Sequence, residues 1–133
     1  MTTVNVVPRK ARAEGVNTFI LEHFTAAALT AAADKKKWIV PYDSRLVDVI
    51  VSSDTIGSGG TSTIIDVNKD GTTIYTTQAN RPTLLLADTG MYAEAAEPEI
   101  TKFLAGDIIS YDVDQVTSTG PALTMVALVF EAV

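Results

Sequence analysis

Residues 61–78 run TSTIIDVNKDGTTIYTTQ, and the fold turns on what DVNKDG does in the middle of that stretch. Asp66 to Gly71 matches the front half of an EF-hand calcium loop, D-x-[DN]-x-[DN]-G, without a mismatch. Such a loop also needs a bidentate Glu at its twelfth position and a helix on each side. Counted from Asp66, the twelfth residue is Thr77, and both flanks are β-branched, which is strand composition. A hairpin uses the same residues differently. Asn68 and Asp70 bond to local backbone, and Gly71 takes a positive φ. The stretch is therefore expected to be a β-hairpin, with Asp66 and Asn68 on one face of its incoming strand.

Working outward, the chain keeps a two-residue period. RLVDVIVSS (Arg45 to Ser53) alternates, and places Val47, Val49 and Val51 on one face with Leu46, Asp48 and Ile50 on the other. TIGSGG then interrupts it, and Gly57 to Gly60 is expected to be a loop. It lacks both phosphate-binding glycine patterns. TTIYTTQ is expected to be a strand. DIISYDVDQV (Asp107 to Val116) alternates again and groups Ile109, Tyr111 and Val113. ALTMVALVFEAV closes the chain as an apolar strand with Thr124, Val126, Leu128 and Phe130 on one side. Short strands separated by Gly and Pro indicate an all-β protein, a sandwich or a barrel.

The first third carries a weaker signal. FILEHFTAAALTAAADKKK has helical propensity in its alanines, but NTFILEHF alternates. It is read as a strand near Asn17 to Phe24 followed by an irregular Ala-rich stretch. Residues 1–16 hold Pro8, Gly15 and three basic residues with little periodicity, and are expected to form an extended N-terminal arm on a single domain, 17–133. LADTGMYAEAAEPEITKFLAG is a second irregular stretch with room for a helical turn.

Composition limits the function. The chain has 133 residues, is 47% hydrophobic and 20% charged, and so supports one globular core. No apolar run approaches the ~18 residues that cross a bilayer, and MTTVNVVPRK lacks a secretory h-region. The expectation is a chain with no membrane partner and no export signal. It has no cysteine, hence no disulfide, thiol nucleophile or Cys-based zinc site. A net charge of −6 argues against a nucleic-acid partner, which requires clustered Lys and Arg.

Candidate chemistry is sparse. His23 is the only histidine. Alone it builds neither a His-rich metal site nor a convincing serine triad, and it is read as a partly exposed strand residue. Asp112 and Asp114 are two apart on a strand and share a face. They face away from Ile109, Tyr111 and Val113, where Arg81 or a lysine is a natural partner. A divalent cation or acid–base chemistry is the sharper alternative for such a pair. Trp38 is read as core or subunit contact before sugar platform. No catalytic residue, metal or cofactor is expected.

One resemblance covers about Arg45 to Phe130. IIDVNKDGTTIYTTQANRPTL, followed by LAGDIISYDVDQVTSTGPALTMVALVF, resembles a β-sandwich module of tailed-phage virion structural proteins. In that module a DVNKNGTTIFTTQANRPT-like hairpin precedes a GDxLxVDVDQVGST-like strand. The matching residues are Asp66, Asn68, Gly71, Asn80, Arg81, Pro82, Gly106, Asp107, Asp112, Asp114, Gln115 and Ser118. Asp70 departs from the usual Asn, Thr117 from the usual Gly, and Met91 to Glu97 from the usual Ser/Thr-rich linker.

The resemblance implies a jelly-roll-like antiparallel sandwich in a virion, often as a trimer. A short chain of this kind is expected to be a capsid decoration (cement) protein, without enzymatic activity. It would be assembled in the host cytoplasm and bound to the major capsid protein on the outer capsid surface. Val4, Val6, Val7, Arg9, Lys10 and Arg12 suit a capsid-contact arm: the valines for strand-edge addition, the basic trio for an acidic surface. The alternative is a head-fibre or tail-associated module that holds host receptor glycan, for which Trp38, Tyr42, Tyr75, Tyr92 and Tyr111 are the available aromatics.

Overall fold

Where Thr, Val and Ile run together the backbone is extended, and ten strands form among the residues that the computed structural model describes, 17–55, 57–85 and 92–133. They are β1 (Thr18–Thr25), β2 (Ala32–Ile39), β3 (Ser44–Ser53), β4 (Ser58–Lys69), β5 (Thr72–Thr73), β6 (Thr83–Leu84), β7 (Tyr92–Glu94), β8 (Lys102–Phe103), β9 (Ile108–Thr119) and β10 (Thr124–Ala132). A single 3-10 turn, Gln78–Asn80, is the only helical element among these residues. The proposed arm, with Val4, Val6, Val7, Arg9, Lys10 and Arg12, lies outside the described residues.

The strands make two antiparallel sheets packed face to face. The first has the order β1-β10-β3-β7, with β8 also on β3, and the second has the order β2-β9-β4-β5, with β6 also on β4. The order has a simple origin. The first half of the chain pairs with the second half in reverse: Thr18 faces Glu131, Lys36 faces Tyr111, Ser44 faces Phe103, Thr63 faces Leu84 and Lys69 faces Thr72. The molecule is thus one long hairpin, rolled so that its paired strands fall alternately in the two sheets. Two further ladders, β10 with β3 and β9 with β4, hold the roll closed. This is the jelly-roll arrangement.

Asp70 and Gly71 are the tip of that hairpin. They take φ values of 48° and 87° between the paired residues Lys69 and Thr72, the backbone of a two-residue turn with both central residues left-handed. The pairing also survives the crossings between sheets. Leu29 N–H donates to Pro121 O at 2.8 Å, and Val40 N–H donates to Asp107 O at 2.9 Å. Loops that connect different strands therefore continue the same ladder.

Between the sheets lies the core. Leu46, Val49, Val51, Val126, Leu128 and Phe130 enter from the first sheet, and Ile65, Val67, Ile109, Tyr111 and Val113 from the second. Phe130 stacks on Phe19 (centroids 4.9 Å apart) and meets Phe103 edge-on (5.6 Å). Such contacts add about 1 kcal/mol beyond area burial.

Five expectations are corrected. Val47 does not join Val49 and Val51. A β-bulge pairs Val129 with Asp48 but Phe130 with Leu46, so Leu46 turns inward and Val47 is left 49% exposed. Ser58 to Gly60, expected as loop, begins β4, with Gly59 and Gly60 at positive φ against β9. TTIYTTQ contributes only Thr72–Thr73 as strand; Ile74 N–H still donates to Val67 O, and the Ile74 and Tyr75 side chains plug the core. The Ala-rich stretch ends at Ala32, where β2 starts, and the second irregular stretch contains β7 and β8.

Two glycine substitutions separate backbone strain from a close approach. At Gly71 an added Cβ meets nothing within 4 Å, so Gly71→Ala is expected to cost only the positive-φ penalty, about 1 kcal/mol. At Gly120 a Cβ would overlap the Leu29 carbonyl oxygen, so Gly120→Ala is expected to cost about 3 kcal/mol by forcing two crossing loops apart. Denaturant unfolding of both variants checks this. Equal losses would contradict the tight loop pairing.

Candidate functional site

The outer face of the second sheet brings five of the twelve motif residues together, Asp66, Asn68, Arg81, Asp112 and Asp114. Pairing of β4 with β9 sets Asp66 directly opposite Asp112, and like charges so placed repel. Nearby groups answer them. Asn68 Nδ2–H donates to Asp112 Oδ2 at 2.9 Å, and the Asp34 amide donates to Asp112 Oδ1 at 2.8 Å. The Thr73 hydroxyl and the Val67 amide donate to Asp66 Oδ1 at 2.7 and 2.9 Å. Arg81 Nη1 reaches Asp114 Oδ2 at 2.6 Å, while its Nε–H is fixed by Gln78 O at 2.9 Å. Arg81 arrives because the chain after β5 folds back over β4. That cover leaves Asp66 only 7% exposed although it points outward.

The remaining motif residues shape the backbone around this network. Pro82 O accepts from Ile65 N–H, and Asn80 N–H closes the turn on Thr77 O. Gln115 Nε2–H donates to Ser62 O at 2.8 Å. Gly106 turns at φ 97° and donates to Val40 O. Asp107 accepts from the Leu104 amide and lies 3.6 Å from Lys69 Nζ. Ser118 packs against Gly59 and Gly60, where any side chain on the glycines would meet it.

One carboxylate oxygen from each of Asp66, Asp112 and Asp114 lies within 4.8 Å of the others. Chemically, such a group holds a hard cation or a guanidinium. Arg81 fills the second role on Asp114. The i, i+2 spacing revealed the Asp112–Asp114 pair in the sequence. Asp66 was not legible as its neighbour, because only the β4–β9 register joins residues 46 positions apart. Burial pushes the Asp66 carboxyl above its ordinary pKa. The Thr73 hydroxyl opposes this, the Asp114 charge adds to it, and the Val67 amide and Arg81 pull back.

His23 and Trp38 lie elsewhere, at the edge where β1 and β2 face each other. His23 is half-buried on the inner side of β1, and its Nδ1 is 2.7 Å from the Tyr111 hydroxyl on β9. Trp38 stacks on Tyr111, with centroids 6.0 Å apart. Nothing in the local sequence around His23 signalled this contact. Tyr75 is wholly buried and its hydroxyl has no hydrogen-bond partner among the described residues. Burial raises its pKa, and Asp66 and Asp48 add to the effect.

The outer face of the first sheet is different in kind. The register lines up Ile20 with Val129, and Phe24 with Met125, and Ala127 with Ile50. Ile20 and Phe24 are 54% and 50% exposed, and the other four are half-buried. Glu22 sits between Ile20 and Phe24 opposite Ala127, Asp48 lies opposite Val129, and the Arg45–Glu131 pair (3.6 Å) closes one end. The second sheet's outer face shows one apolar exception, the cross-strand pair Ile39 and Ile108. A cleft of about 330 Å³ beside Ile108 is otherwise polar, lined by Asp34, Lys37, Asp70, Gly71 and Ser110.

No family model, curated protein or solved structure matches the chain.

The raised Asp66 pKa fixes a sign. A carboxyl whose folded pKa exceeds its unfolded value stabilises fully below the unfolded value, near 4, and that contribution is lost as pH rises through the folded value. Asp66→Asn keeps the acceptor for Val67 and Thr73 and removes the charge. It is therefore expected to be more stable than wild type at pH 7, with the gap closing in acid. Thermal melts between pH 3 and 8 test this, and a gap that widens in acid would refute it.

Calcium gives a second test. With Arg81 on Asp114 and amide or hydroxyl donors on the other two carboxylates, millimolar calcium and chelator are expected to give the same melting temperature. A rise of several degrees with calcium would mean that the carboxylates hold an ion, since a ligand of the native state stabilises it by mass action.

Proposed function

We propose that this chain is a structural protein of a tailed-phage virion, a capsid decoration protein that acts as a homotrimer and carries out no catalysis. The observation that carries the proposal is the one-sidedness of the body. One sheet turns a mostly polar, internally paired surface outward, with Ile39 and Ile108 as its apolar exception. The other turns Ile20, Phe24, Met125, Ala127, Val129 and Ile50 outward, with Glu22 between Ile20 and Phe24 and Asp48 opposite Val129, a largely apolar surface suited to being covered. In the proposed assembly this face meets other copies of the chain. The trimer sits on the major capsid protein at the outer capsid surface and stabilises the head, after assembly in the host cytoplasm. Val4, Val6, Val7, Arg9, Lys10 and Arg12 supply the capsid contact.

Support also comes from the motif residues. Asp66, Asn68, Arg81, Asp112 and Asp114, on which the resemblance to the virion module rests, are not scattered. They close into one network. The glycan-binding alternative is less well served, because Trp38, Tyr75 and Tyr111 turn inward. It would have to use the cleft of about 210 Å³ beside Phe19 and Tyr42.

Light scattering on a sizing column is expected to give three times 14.1 kDa. Added to undecorated capsids, the protein should bind and raise their melting temperature. Ile20→Asp with Phe24→Asp, both at exposed positions, should yield a folded monomer that no longer decorates. A clean wild-type monomer at micromolar concentration would overturn the trimer. Glycan binding without capsid binding would overturn the decoration role.

A further inference from the structure

We propose that the outer face of the first sheet of one copy docks on the β2 margin of the next copy, with Ile39 and Ile108 as its apolar seat and Lys37 as the cation that meets Glu22. This rests on the trimeric reading given above and says which two surfaces build it. A face that meets itself about a twofold axis makes a dimer and stops there. A closed ring of three needs a heterologous contact, in which each copy offers one patch and receives with a different one. The first-sheet face is the patch offered, so the same body must carry a second, complementary one.

Charge narrows the choice. Glu22 lies in the middle of the first-sheet face, between Ile20 and Phe24 and opposite Ala127. It has no ion pair among the described residues. Asp48, opposite Val129, adds a second negative charge. The basic residues of that face, Arg45 and Lys102, are cross-strand neighbours at one end, and Arg45 is 3.6 Å from Glu131. Covering a carboxylate without a cation or a hydrogen-bond donor is costly. The surface that covers Glu22 therefore has to supply one.

The β2 margin joins both requirements. Ile39 and Ile108 are cross-strand partners on the outer face of the second sheet, 69% and 46% exposed. Lys37 is two residues before Ile39 on the same edge strand and shares its face. Charge and apolar residue are thus two apart on both surfaces: Glu22 and Phe24 on β1, Lys37 and Ile39 on β2. Lys37 Nζ is 3.7 Å from Asp34 in a pair open to water, a kind that contributes little, and an ammonium has donors for a second carboxylate. Asp70 Oδ1 accepts from the Ile108 amide at 3.0 Å. Lys35 and Lys36, without ion pairs among the described residues, add positive charge along the edge. The cleft of about 330 Å³ beside Ile108 provides a concavity, and Phe24, 50% exposed near the end of β1, is the matching projection. Aromatic side chains seated in pockets supply much of the strength of protein contacts. Only side chains meet in this contact. The ladder edge of β2 stays unpaired, in keeping with Asp34 at positive φ and the register break before Lys36.

Mixing two variants tests the docking. Ile20→Asp with Phe24→Asp spoils the face and keeps the patch, while Ile39→Asp spoils the patch and keeps the face. Each alone should run at 14.1 kDa by light scattering on a sizing column. Mixed in equal amounts they should form a dimer of twice that mass and nothing larger, because one intact face meets one intact patch and the ring cannot close. Glu22→Lys should raise the concentration at which the trimer half-dissociates by about tenfold. Lys37→Glu in the same chain should reverse that rise, which tests the contact even if Ile39→Asp does not fold. A wild-type trimer that survives Ile39→Asp, or a mixture that stays monomeric, overturns the docking and leaves the trimer standing. So does a Glu22→Lys defect that Lys37→Glu fails to reverse. A wild-type dimer or monomer overturns docking and trimer together.

Discussion

Reverse pairing of the two halves of the chain is the constraint from which everything else follows. Each backbone hydrogen bond is worth only about 1 kcal/mol net. Their collective force comes from the penalty of burying donors and acceptors without partners. Once Asp70 and Gly71 reverse the chain, each strand of the first half finds its partner in the second. The alternation between sheets then obliges the loops to cross in pairs as well, which is why Leu29 and Pro121, or Val40 and Asp107, bond outside any strand. Most of these pairings are distant in sequence. Closing them costs chain entropy before it yields contacts, and slow folding is the usual companion of such topology.

Rolling one ribbon into two sheets leaves two edges side by side, and the chain treats them differently. β2 carries Lys35, Lys36 and Lys37, a residue at positive φ (Asp34) and a register break before Lys36. Charge and irregularity of this kind discourage pairing with another chain. β1 has an unbroken register, no lysine and two exposed apolar residues. Any association through the first sheet would find that edge unguarded, and the polar network of the second sheet would be left facing outward.

Much of this was legible in the sequence where one face is buried and the other wet. The strands around Ile109–Val113 and Val126–Phe130 declare themselves by alternation, and DVNKDG declares itself as a turn once Thr77 removes the calcium loop. The missed features share a cause. A bulge such as the one at Val47 shifts the parity of a strand without any composition cue. The glycines at 57–60 have the same composition in a loop as in an irregular strand. Ile74 and Tyr75 are β-branched or aromatic, and so suit a strand, yet they are taken by the core. The Asp66–Asp112 and His23–Tyr111 contacts depend on register between distant strands, which local pattern does not encode.

The long hairpin also fixes where the described body begins and ends. Asn17 O accepts from Ala132 N–H at 2.6 Å, so the open ends of the ribbon lie side by side at one corner, and its tip is an exposed two-residue turn. Such a body suits circular permutation: a short linker from Val133 to Asn17 and a cut between Asp70 and Gly71 would keep the strand ladders. New ends at an exposed tip, with Asn17 and Ala132 already adjacent, are the conditions under which permuted bodies are tolerated. The same adjacency means that cargo fused after Val133 would be displayed from the corner where Thr18, Glu131 and Arg45 meet.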